Sequence, residues 1–247
     1  MKVQLKRAWY ITRKDMRTYY MKPPLISWGI ILPLVMILAF YIRNPGDIRS
    51  VVPGLIGMTV LFGATSLEAV VITFEKRIGA MERLLMAPIA PFTLVLSKMV
   101  SGALFGLASG CLVWLLGSAA WGLRFAWLGA FVTILLGSIT FSLLGVVISL
   151  LMREVFDAMT MSNYFRFPMV FLCGVFVPLS RLPAVLRIVA SFLPLTYMVD
   201  ALRYLLIAKG EAYYPLTLNL GASALFASVL YWAALKLTRH RLEDLIQ

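Results

Sequence analysis

Few side chains in this sequence could perform acid–base, nucleophilic or metal chemistry, and those few do not converge. The one histidine, His240, lies in a basic tail. The two cysteines, Cys111 and Cys173, lie in apolar runs and lack the spacing of metal ligands. Carboxylates are scattered mostly between the apolar runs. Because an enzyme site needs such groups to converge, the sequence argues against a membrane enzyme.

Four ionisable residues lie within or near the ends of apolar runs, namely Glu68, Lys98, Asp157 and Arg166, and of these Asp157 belongs to the boundary of its run and needs no special role. A charge at the centre of a bilayer costs roughly 2.5–3.5 kcal/mol on insertion scales, so each needs a reason to be there. Glu68 could pair with Lys98, or Lys98 could extend to the interface. This structural interpretation is favoured for both, with Glu68 kept as a pathway or interface candidate. Arg166 lies deepest and is the best candidate to face a polar cavity, a substrate or a partner subunit.

The composition is that of a membrane protein. Of the 247 residues 61% are hydrophobic and only 14% are charged, and the mean hydropathy is +0.89. Soluble domains carry about 25% charged residues. The net charge of +12 is explained by basic residues that flank the apolar runs and hold loops against anionic lipid. We therefore expect the lipid bilayer as a partner and no nucleic acid.

Six apolar runs are long enough for spanning helices, which need about 20 residues each. They are approximately 25–42, 51–73, 94–117, 125–151, 158–178 and 215–237. The sequence thus predicts one membrane domain over 25–237, after a lead of residues 1–24 and before a tail of residues 238–247. Glycine and serine recur at three- and four-residue spacings in the third and fourth runs, which favours close helix packing over a substrate surface.

The distribution of lysine and arginine predicts the orientation. An even number of spans puts both termini on one side, and that side also holds residues 74–93. Lysine and arginine are more frequent on this side than on the other. The positive-inside rule therefore places both termini and residues 74–93 in the cytoplasm, in a multi-pass protein of the cell membrane.

The lead, residues 1–24, interleaves aromatic and aliphatic residues with basic ones. Trp9, Tyr10, Tyr19 and Tyr20 alternate with lysine and arginine along it. This pattern is typical of an amphipathic helix in the inner headgroup layer. A plain basic flank that anchors the first span is an equally good interpretation, and the two are compatible.

The segment 74–88, FEKRIGAMERLLMAP, places five charged residues between two apolar runs. Phe74, Ile78, Met81 and Leu85 share one face of a helix at this spacing. Pro88 then ends the helix before the third span. The sequence predicts a short amphipathic cytoplasmic helix, which either docks into a groove of a partner or rests on the lipid headgroups.

Residues 179–210 are too polar and too rich in proline to span. Pro178 and Pro194 delimit short amphipathic helices, and Tyr197 lies on the apolar face of the second one. Asp200 and Arg203 are three residues apart and could pair. The pattern favours a re-entrant helical hairpin at the membrane face opposite to residues 74–93, and an ordinary interfacial loop is the alternative.

Two motifs, in this order on a six-span frame, resemble the ABC-2 family of transporter permeases. The first is Glu75, Gly79-Ala80, Glu82, Leu85 and Pro88, at the family's spacing. The second is GVFVPLSRLPAVLRIVASFLPLTYMVDALRYLL at 174–206, which is similar to the family's outer hairpin. Ala80 departs from the family's frequent threonine, so a hydroxyl contact there is in doubt. The resemblance covers nearly the whole chain.

The resemblance implies an all-α membrane protein of six transmembrane helices. It has an N-terminal amphipathic interface helix, a cytoplasmic coupling helix and an outer re-entrant hairpin. The coupling helix would insert into a separate ATPase subunit, and its residues would be Phe74, Glu75, Arg77, Gly79, Met81, Glu82, Arg83, Leu85 and Pro88. The hairpin, with Pro178, Pro194, Tyr197, Asp200 and Arg203, would cover the exit of the transport path.

The sequence contains no G-x-x-x-x-G-K-[ST] motif, so ATP and Mg²⁺ would bind to the partner chain and this chain would carry no cofactor. We expect an ABC exporter with two copies of this permease and two ATPase subunits. Its cargo would be an amphiphile, a drug, a lipid or a glycolipid. The sequence of the hairpin resembles the drug-export and lipo-oligosaccharide branch of the family more than the long-polysaccharide branch. The alternative is an ion-coupled secondary transporter or a channel, which Glu68 alone supports weakly.

Overall fold

The computed structural model describes residues 2–20, 31–43, 48–86, 89–123, 126–207 and 212–246, which form helices and connecting turns without a β-strand. The α-helices are α1 (Lys2–Asp15), α2 (Leu32–Arg43), α3 (Ile48–Arg77), α4 (Ala80–Met86), α5 (Pro91–Trp121), α6 (Trp127–Leu151), α7 (Val155–Leu172), α8 (Ala184–Ser191), α9 (Pro194–Leu206) and α10 (Leu216–Ile246). A π-helical turn, Met16–Tyr20, follows α1, and a 3-10 turn, Leu179–Arg181, precedes α8. The predicted all-α class is confirmed for the described residues.

Four of the described helices are long and apolar enough to cross a bilayer. They cover Arg49–Arg77, Pro91–Trp121, Trp127–Leu151 and Leu216–His240, which agree with the second, third, fourth and sixth predicted spans. The first predicted span, 25–42, lies partly outside the described residues, and α2 covers its second part. The pair α8 and α9, bent by 103°, would be a fifth crossing if it formed one broken span. The count of six spans therefore stays a prediction.

The fifth predicted span, 158–178, extends beyond the C-terminal end of the helix that the structure shows. The helix α7 ends at Leu172, and the following residues leave the helical path. Gly174 has a φ of 81°, in the left-handed region that glycine adopts without steric cost. The chain then enters the turn Leu179–Arg181 directly after Pro178. The helix therefore ends six residues before Pro178, where the sequence predicts the end of the span.

The two segments predicted to flank the membrane domain are residues 1–24 and 238–247, and the structure describes most of each. Residues 238–246 continue α10, so the predicted tail is helical over that range, and its cytoplasmic location stays a prediction. At the other end, α1 packs against α5 through Ala8, Ile11 and Thr12, while Trp9 is 58% exposed. A helix therefore covers most of the lead, part of which lies outside the described residues, and its place in the headgroup layer stays a prediction.

The helix α3 forms the centre of the bundle, with α5, α6, α7 and α9 packed around it. Every side chain from Val51 to Thr65 is buried. Lipid tails are as apolar as leucine, so van der Waals contact between closely packed helices holds such a bundle together. The central position of α3 matters for function because its C-terminal end continues into residues 78–86, and its N-terminal half packs against α9, where a Cβ atom on Gly57 would lie 2.7 Å from Val199.

Small residues allow α3, α5 and α6 to approach each other, as the glycine and serine spacing predicts. A Cβ atom on Gly106 would lie 2.9 Å from the Cβ of Ala64 and 3.2 Å from the Oγ of Ser138. The Ser142 hydroxyl donates a hydrogen bond to the carbonyl of Met99 across the helix interface, over 2.9 Å. Larger residues at these positions would separate the helices.

Candidate functional site

The segment predicted as one coupling helix is divided by a turn. Phe74, Glu75 and Arg77 belong to the end of α3, and Ala80–Met86 form α4. Between them the φ of Gly79 is 67°, which a residue with a side chain rarely adopts. The Gly79 amide donates a hydrogen bond to the carbonyl of Lys76 over 3.0 Å and so closes the turn. The predicted continuous apolar face is therefore wrong, because a left-handed residue reorients the helix.

This turn gives an exposed segment, residues 78–86, which we call the elbow segment. Ile78 is 47% exposed and Met86 is 76% exposed, whereas Met81 is buried against the bundle. The Arg83 guanidinium donates a hydrogen bond to the carbonyl of Ile78 over 3.3 Å and braces the elbow. Of the other predicted coupling residues, Glu82 and Leu85 lie on α4 and Pro88 lies outside the described residues.

The base of the elbow segment is fixed to the neighbouring helices. The Lys76 ammonium donates hydrogen bonds to the carbonyls of Ser149 and Met152, the latter over 2.9 Å, at the end of α6. These carbonyls lie where a helix exposes its unpaired acceptors and its negative dipole end. A movement of the elbow segment would therefore reach α6 as well as α3.

Glu75 does not lie on the exposed surface with the elbow segment. Its side chain is fully buried in a group of four charged residues, Lys14, Asp15, Glu75 and Lys98, which we call the charge cluster. The Lys98 ammonium lies 2.8 Å from Asp15 Oδ2 and 2.5 Å from Glu75 Oε2. The Lys14 ammonium contacts Glu75 and lies 2.9 Å from Asp15 Oδ1. Glu75 therefore joins three helices, α1, α3 and α5, which the sequence did not indicate.

The charges of the cluster balance, with two ammonium groups facing two carboxylates. Burial of Lys14 opposes its charge, but hydrogen bonds to Glu75 and Asp15 outweigh this effect and raise its pKa from 10.5 to about 12. Burial and the charge of Glu75 also raise the pKa of Tyr19, whose ring centroid lies 5.7 Å from the Lys14 ammonium. Lys14 therefore remains protonated, and the cluster holds α1 to the bundle.

Glu68 and Lys98 were expected to pair, but the ion pairs of Lys98 are with Asp15 and Glu75. Glu68 is fully buried where α3 meets α5 and α6. A Cβ atom on Gly102 would lie 3.1 Å from Glu68 Oε1, and one on Gly145 would lie 3.0 Å from the Cβ of Glu68. The two glycines therefore make room for this carboxylate inside the helix interface, away from any open surface.

Arg166 is buried in α7, with only 5% of its surface exposed. Its Nη1 donates a hydrogen bond to Asn163 Oδ1 over 3.3 Å, and its guanidinium carbon lies 5.5 Å from the ring centroid of Phe62 on α3. Its Nε and Nη2 atoms have no hydrogen-bond partner among the described residues. Arg166 is thus buried within the bundle, and its depth in the membrane stays a prediction.

The predicted hairpin is present as two helices bent by 103°, α8 and α9. Pro194 begins α9, and its neighbour Thr196 donates a hydrogen bond to the carbonyl of Ala190 over 2.6 Å. The Tyr197 hydroxyl donates to the carbonyl of Ser191 over 2.7 Å. These two bonds cross the bend and fix its angle, so the hairpin is a rigid corner.

Asp200 and Arg203 were expected to pair, but their hydrogen bonds anchor the hairpin to other parts of the chain. Asp200 accepts hydrogen bonds from the backbone amides of Tyr213 and Tyr214, over 2.8 and 2.9 Å. It also accepts one from Asn219 on α10 over 2.9 Å. Arg203 donates to the carbonyl of Gly174, after α7, over 2.8 Å. One buried face of α9 thus holds the ends of α7 and α10 together.

The comparisons with known proteins agree with this architecture. A model of the ABC-2 type transporter family matches residues 6–207. The chain is 31% identical over 160 residues to Nodulation protein J of Bradyrhizobium diazoefficiens, a match that covers 60% of this chain and 56% of that protein. It is 27% identical over 187 residues to Inner membrane transport permease YadH of Escherichia coli K12, covering 73% and 70%.

A third relative is named Probable multidrug ABC transporter permease YbhS, also of Escherichia coli K12. It is 26% identical over 210 residues, which are 82% of this chain and 54% of that protein. The chain thus spans little more than half the length of two of these relatives. The family model covers most of the chain, including the elbow segment and the hairpin. This protein therefore belongs to the ABC-2 type transporter family and is a membrane permease of that family.

Proposed function

We propose that this chain forms the translocation path of an ATP-driven exporter as a homodimer and is coupled to two copies of a separate ATPase subunit. The observation that carries the proposal is the elbow segment, a short exposed helix fixed at its base to two long helices of the bundle. An ordinary connection between spans needs neither an exposed apolar side chain such as Ile78 nor a base anchored by Lys76.

The geometry of the elbow segment would allow a partner to dock on it and to transmit movement to the bundle. Ile78 and Met86 expose apolar surface and Arg83 exposes a charge, which are the elements of a helix that docks into a groove. Met81 points into the bundle and contacts a small apolar cluster with Ile72 and Leu94. A push on the outer face would therefore be passed to α3 and α5.

The charge cluster extends this coupling to the N-terminal helix. Glu75 lies at the end of α3 directly before the elbow segment, and it binds Lys98 on α5 and Lys14 on α1. Because a buried ion pair is costly to break, these helix ends would move as one unit. The exposed face of α1, with Leu5, Trp9 and Tyr10, would slide in the headgroup layer during this movement.

In this arrangement both termini and the elbow segment lie in the cytoplasm, where ATP and Mg²⁺ would bind to the partner. The bent hairpin lies at the opposite end of α3, where it would cover the exit. The proposed export function is supported by membership of the family and by the names of two relatives, the transport permease YadH and the probable multidrug ABC transporter permease YbhS. An amphiphilic cargo such as a drug, a lipid or a glycolipid agrees with the largely apolar composition of the chain.

A variant of the elbow segment tests the proposal. The complex is purified with the ATPase that accompanies it and placed in liposomes. The rate of ATP hydrolysis is measured for the ATPase alone, with the wild-type permease, and with a permease that carries both Arg83→Glu and Ile78→Glu. We expect the variant permease to insert normally but to lose its influence on the rate of hydrolysis. The matched control is Arg239→Glu, an exposed arginine on the same side of the bundle. Unchanged coupling in the elbow variant would remove this assignment.

A further inference from the structure

The guanidinium of Arg166 is a buried cation without a counter-charge in the described part of the chain. No carboxylate of these residues lies within 4 Å of it, and two of its nitrogen atoms have no hydrogen-bond acceptor. Asn163 supplies one neutral acceptor, at the long distance of 3.3 Å. A buried ion normally is paired or is replaced during evolution by an apolar residue, because its desolvation is costly. An unpaired arginine at this depth is therefore a candidate for ligand binding.

The position of Arg166 is close to the middle of the bundle. It lies about 17 Å along α7 from the start of that helix, at 1.5 Å per residue. Its neighbour Phe62 lies near the midpoint of α3, Ile48–Arg77. Anionic lipid headgroups at the membrane faces are therefore too far away to neutralise the guanidinium while they stay in their layer.

The described residues do not provide the missing charge. Among the described helices that can span, Glu68 is the carboxylate furthest from a helix end, and it is fully buried between α3, α5 and α6. Asp157 lies more than two turns before Arg166 on the same helix, and Asp200 is occupied by three donors. No carboxylate in the described part of the chain thus pairs with the guanidinium, which leaves a bound molecule as a candidate source of the counter-charge.

The surface beside Arg166 is apolar and aromatic. Its two sequence neighbours, Phe165 and Phe167, are 43% and 53% exposed, and Phe171 one turn later is 65% exposed. Arg166 thus lies on the buried face of α7, and Phe167 and Phe171, four residues apart on one flank of the same helix, form an aromatic face without cover from the described residues. Such a pairing of one cation and adjacent aromatic rings suits a molecule with an anionic head and an apolar body.

The helix α7 has a weak point next to this site. Pro168 lies inside α7 and cannot donate the backbone hydrogen bond that the carbonyl of Tyr164 would accept. The helix ends soon afterwards, at Leu172, and it packs chiefly on α3. A small rotation of α7 at Pro168 would move the guanidinium away from Phe62 on α3.

We propose that Arg166 binds the anionic head of the cargo, so that this permease selects amphiphiles with a phosphate or carboxylate head over zwitterionic and cationic ones. The guanidinium offers two parallel N–H donors to such a head, and the aromatic face of α7 receives the apolar body. This inference rests on the proposed export function, whose cargo class it specifies.

Dodecyl phosphate and dodecylphosphocholine have the same alkyl chain but differ in the charge of the head group, so together they test the selectivity for an anionic head. In the first experiment the full-length permease is placed in phosphatidylcholine nanodiscs, and retention of each probe is counted by native mass spectrometry. We expect Arg166→Gln to weaken retention of dodecyl phosphate about tenfold or more, because hydrogen bonds to a charged partner are lost. Retention of dodecylphosphocholine should not change. Arg153→Gln, an exposed arginine before α7, is the matched control.

A second experiment separates cargo from a resident lipid. ATP hydrolysis by the complete complex is measured against dodecyl phosphate concentration, and Arg166→Gln should raise the half-maximal concentration about tenfold. Arg166→Lys keeps the charge but not the planar fork, so we expect an intermediate value, which also guards against a misfolded glutamine variant. Binding that depends on Arg166 without any effect on hydrolysis would indicate a resident lipid and overturn the assignment to cargo.

The two experiments also separate this inference from the proposed function. The nanodisc measurement needs no ATPase, so Arg166-dependent binding in the absence of a partner would leave the anion site standing while the exporter proposal failed. Equal retention of dodecyl phosphate by wild type and by Arg166→Gln would contradict the anion site, whatever the partner of the chain is.

Discussion

The charge cluster and Arg166 are two ways in which this protein buries charge. In the cluster, Lys98 lies within 2.8 Å of two carboxylates, and the cations and anions are equal in number. Around Arg166 the described residues provide one weak neutral acceptor and the face of one ring. A balanced group stabilises the fold, whereas an unbalanced charge is retained at a cost to the fold. The difference suggests structure and force transfer at the first site, and recognition at the second.

The largest effect should come from removal of the central cation of the cluster. Lys98→Met leaves Asp15 and Glu75 buried with only Lys14 as partner, so we expect a loss of about 3–5 kcal/mol in the free energy of unfolding. Unfolding can be followed by tryptophan fluorescence in mixed detergent micelles. The control Lys6→Met changes an exposed lysine and should have little effect. A stable Lys98→Met protein would show that the cluster does not hold the helices together.

The anchor of the hairpin should give the next largest effect. Asp200→Ala leaves the amides of Tyr213 and Tyr214 and the side chain of Asn219 without their charged acceptor, and we expect a loss of about 2 kcal/mol. Asp157→Ala, at an exposed position, is the comparison. The same unfolding assay measures both. An equal effect of the two substitutions would mean that Asp200 is not an anchor.

A smaller effect is expected at the edge of the cluster. The Lys14 side chain is 43% exposed, so solvent screens its ion pairs and Lys14→Met should cost about 1 kcal/mol or less. Its pKa is higher in the folded protein, at about 12, than its ordinary value of 10.5. Its contribution is therefore complete below pH 10.5 and is lost as the pH rises towards 12. The stability difference between wild type and Lys14→Met should shrink over that range, and a constant difference would contradict the ion pairs.

The smallest change in stability should follow from substitution of the unbalanced charge. Arg166→Met removes a buried cation without breaking an ion pair, so the free energy of unfolding should stay the same or rise. Thermal unfolding in the same detergent compares it with Lys98→Met. A loss as large as that of Lys98→Met would erase the distinction between the two sites, because it would show that Arg166 has a structural partner.

The sequence predicted local features well and long-range polar contacts poorly. Apolar length located the four spanning helices, and the spacing of Gly106 and Ser138 indicated close packing. Periodicity carries no information on which side chains meet across distant helices. Asp15 and Lys98 are far apart in the sequence, and the only signal was that Asp15 is the one carboxylate of residues 1–24.

The elbow segment shows why a helical pattern was misleading. Phe74, Ile78, Met81 and Leu85 fit a helix face, but Gly79 lies within the pattern and takes a left-handed conformation. A glycine inside an apparent helix is a recognised signal for a break. The position of Arg166 within an apolar run made it a candidate from the sequence alone. Its missing counter-charge could not be predicted, since that required the positions of every other carboxylate.

The central claim is that this permease works with a separate ATPase, and one measurement tests it most directly. The complex is extracted from membranes in mild detergent, and its intact mass is determined by native mass spectrometry. We expect two copies of this 27.6 kDa chain together with two copies of a nucleotide-binding subunit. Recovery of the chain alone or only as a self-assembly, under conditions that preserve other membrane complexes, would contradict the account and would favour a carrier or channel that works without ATP.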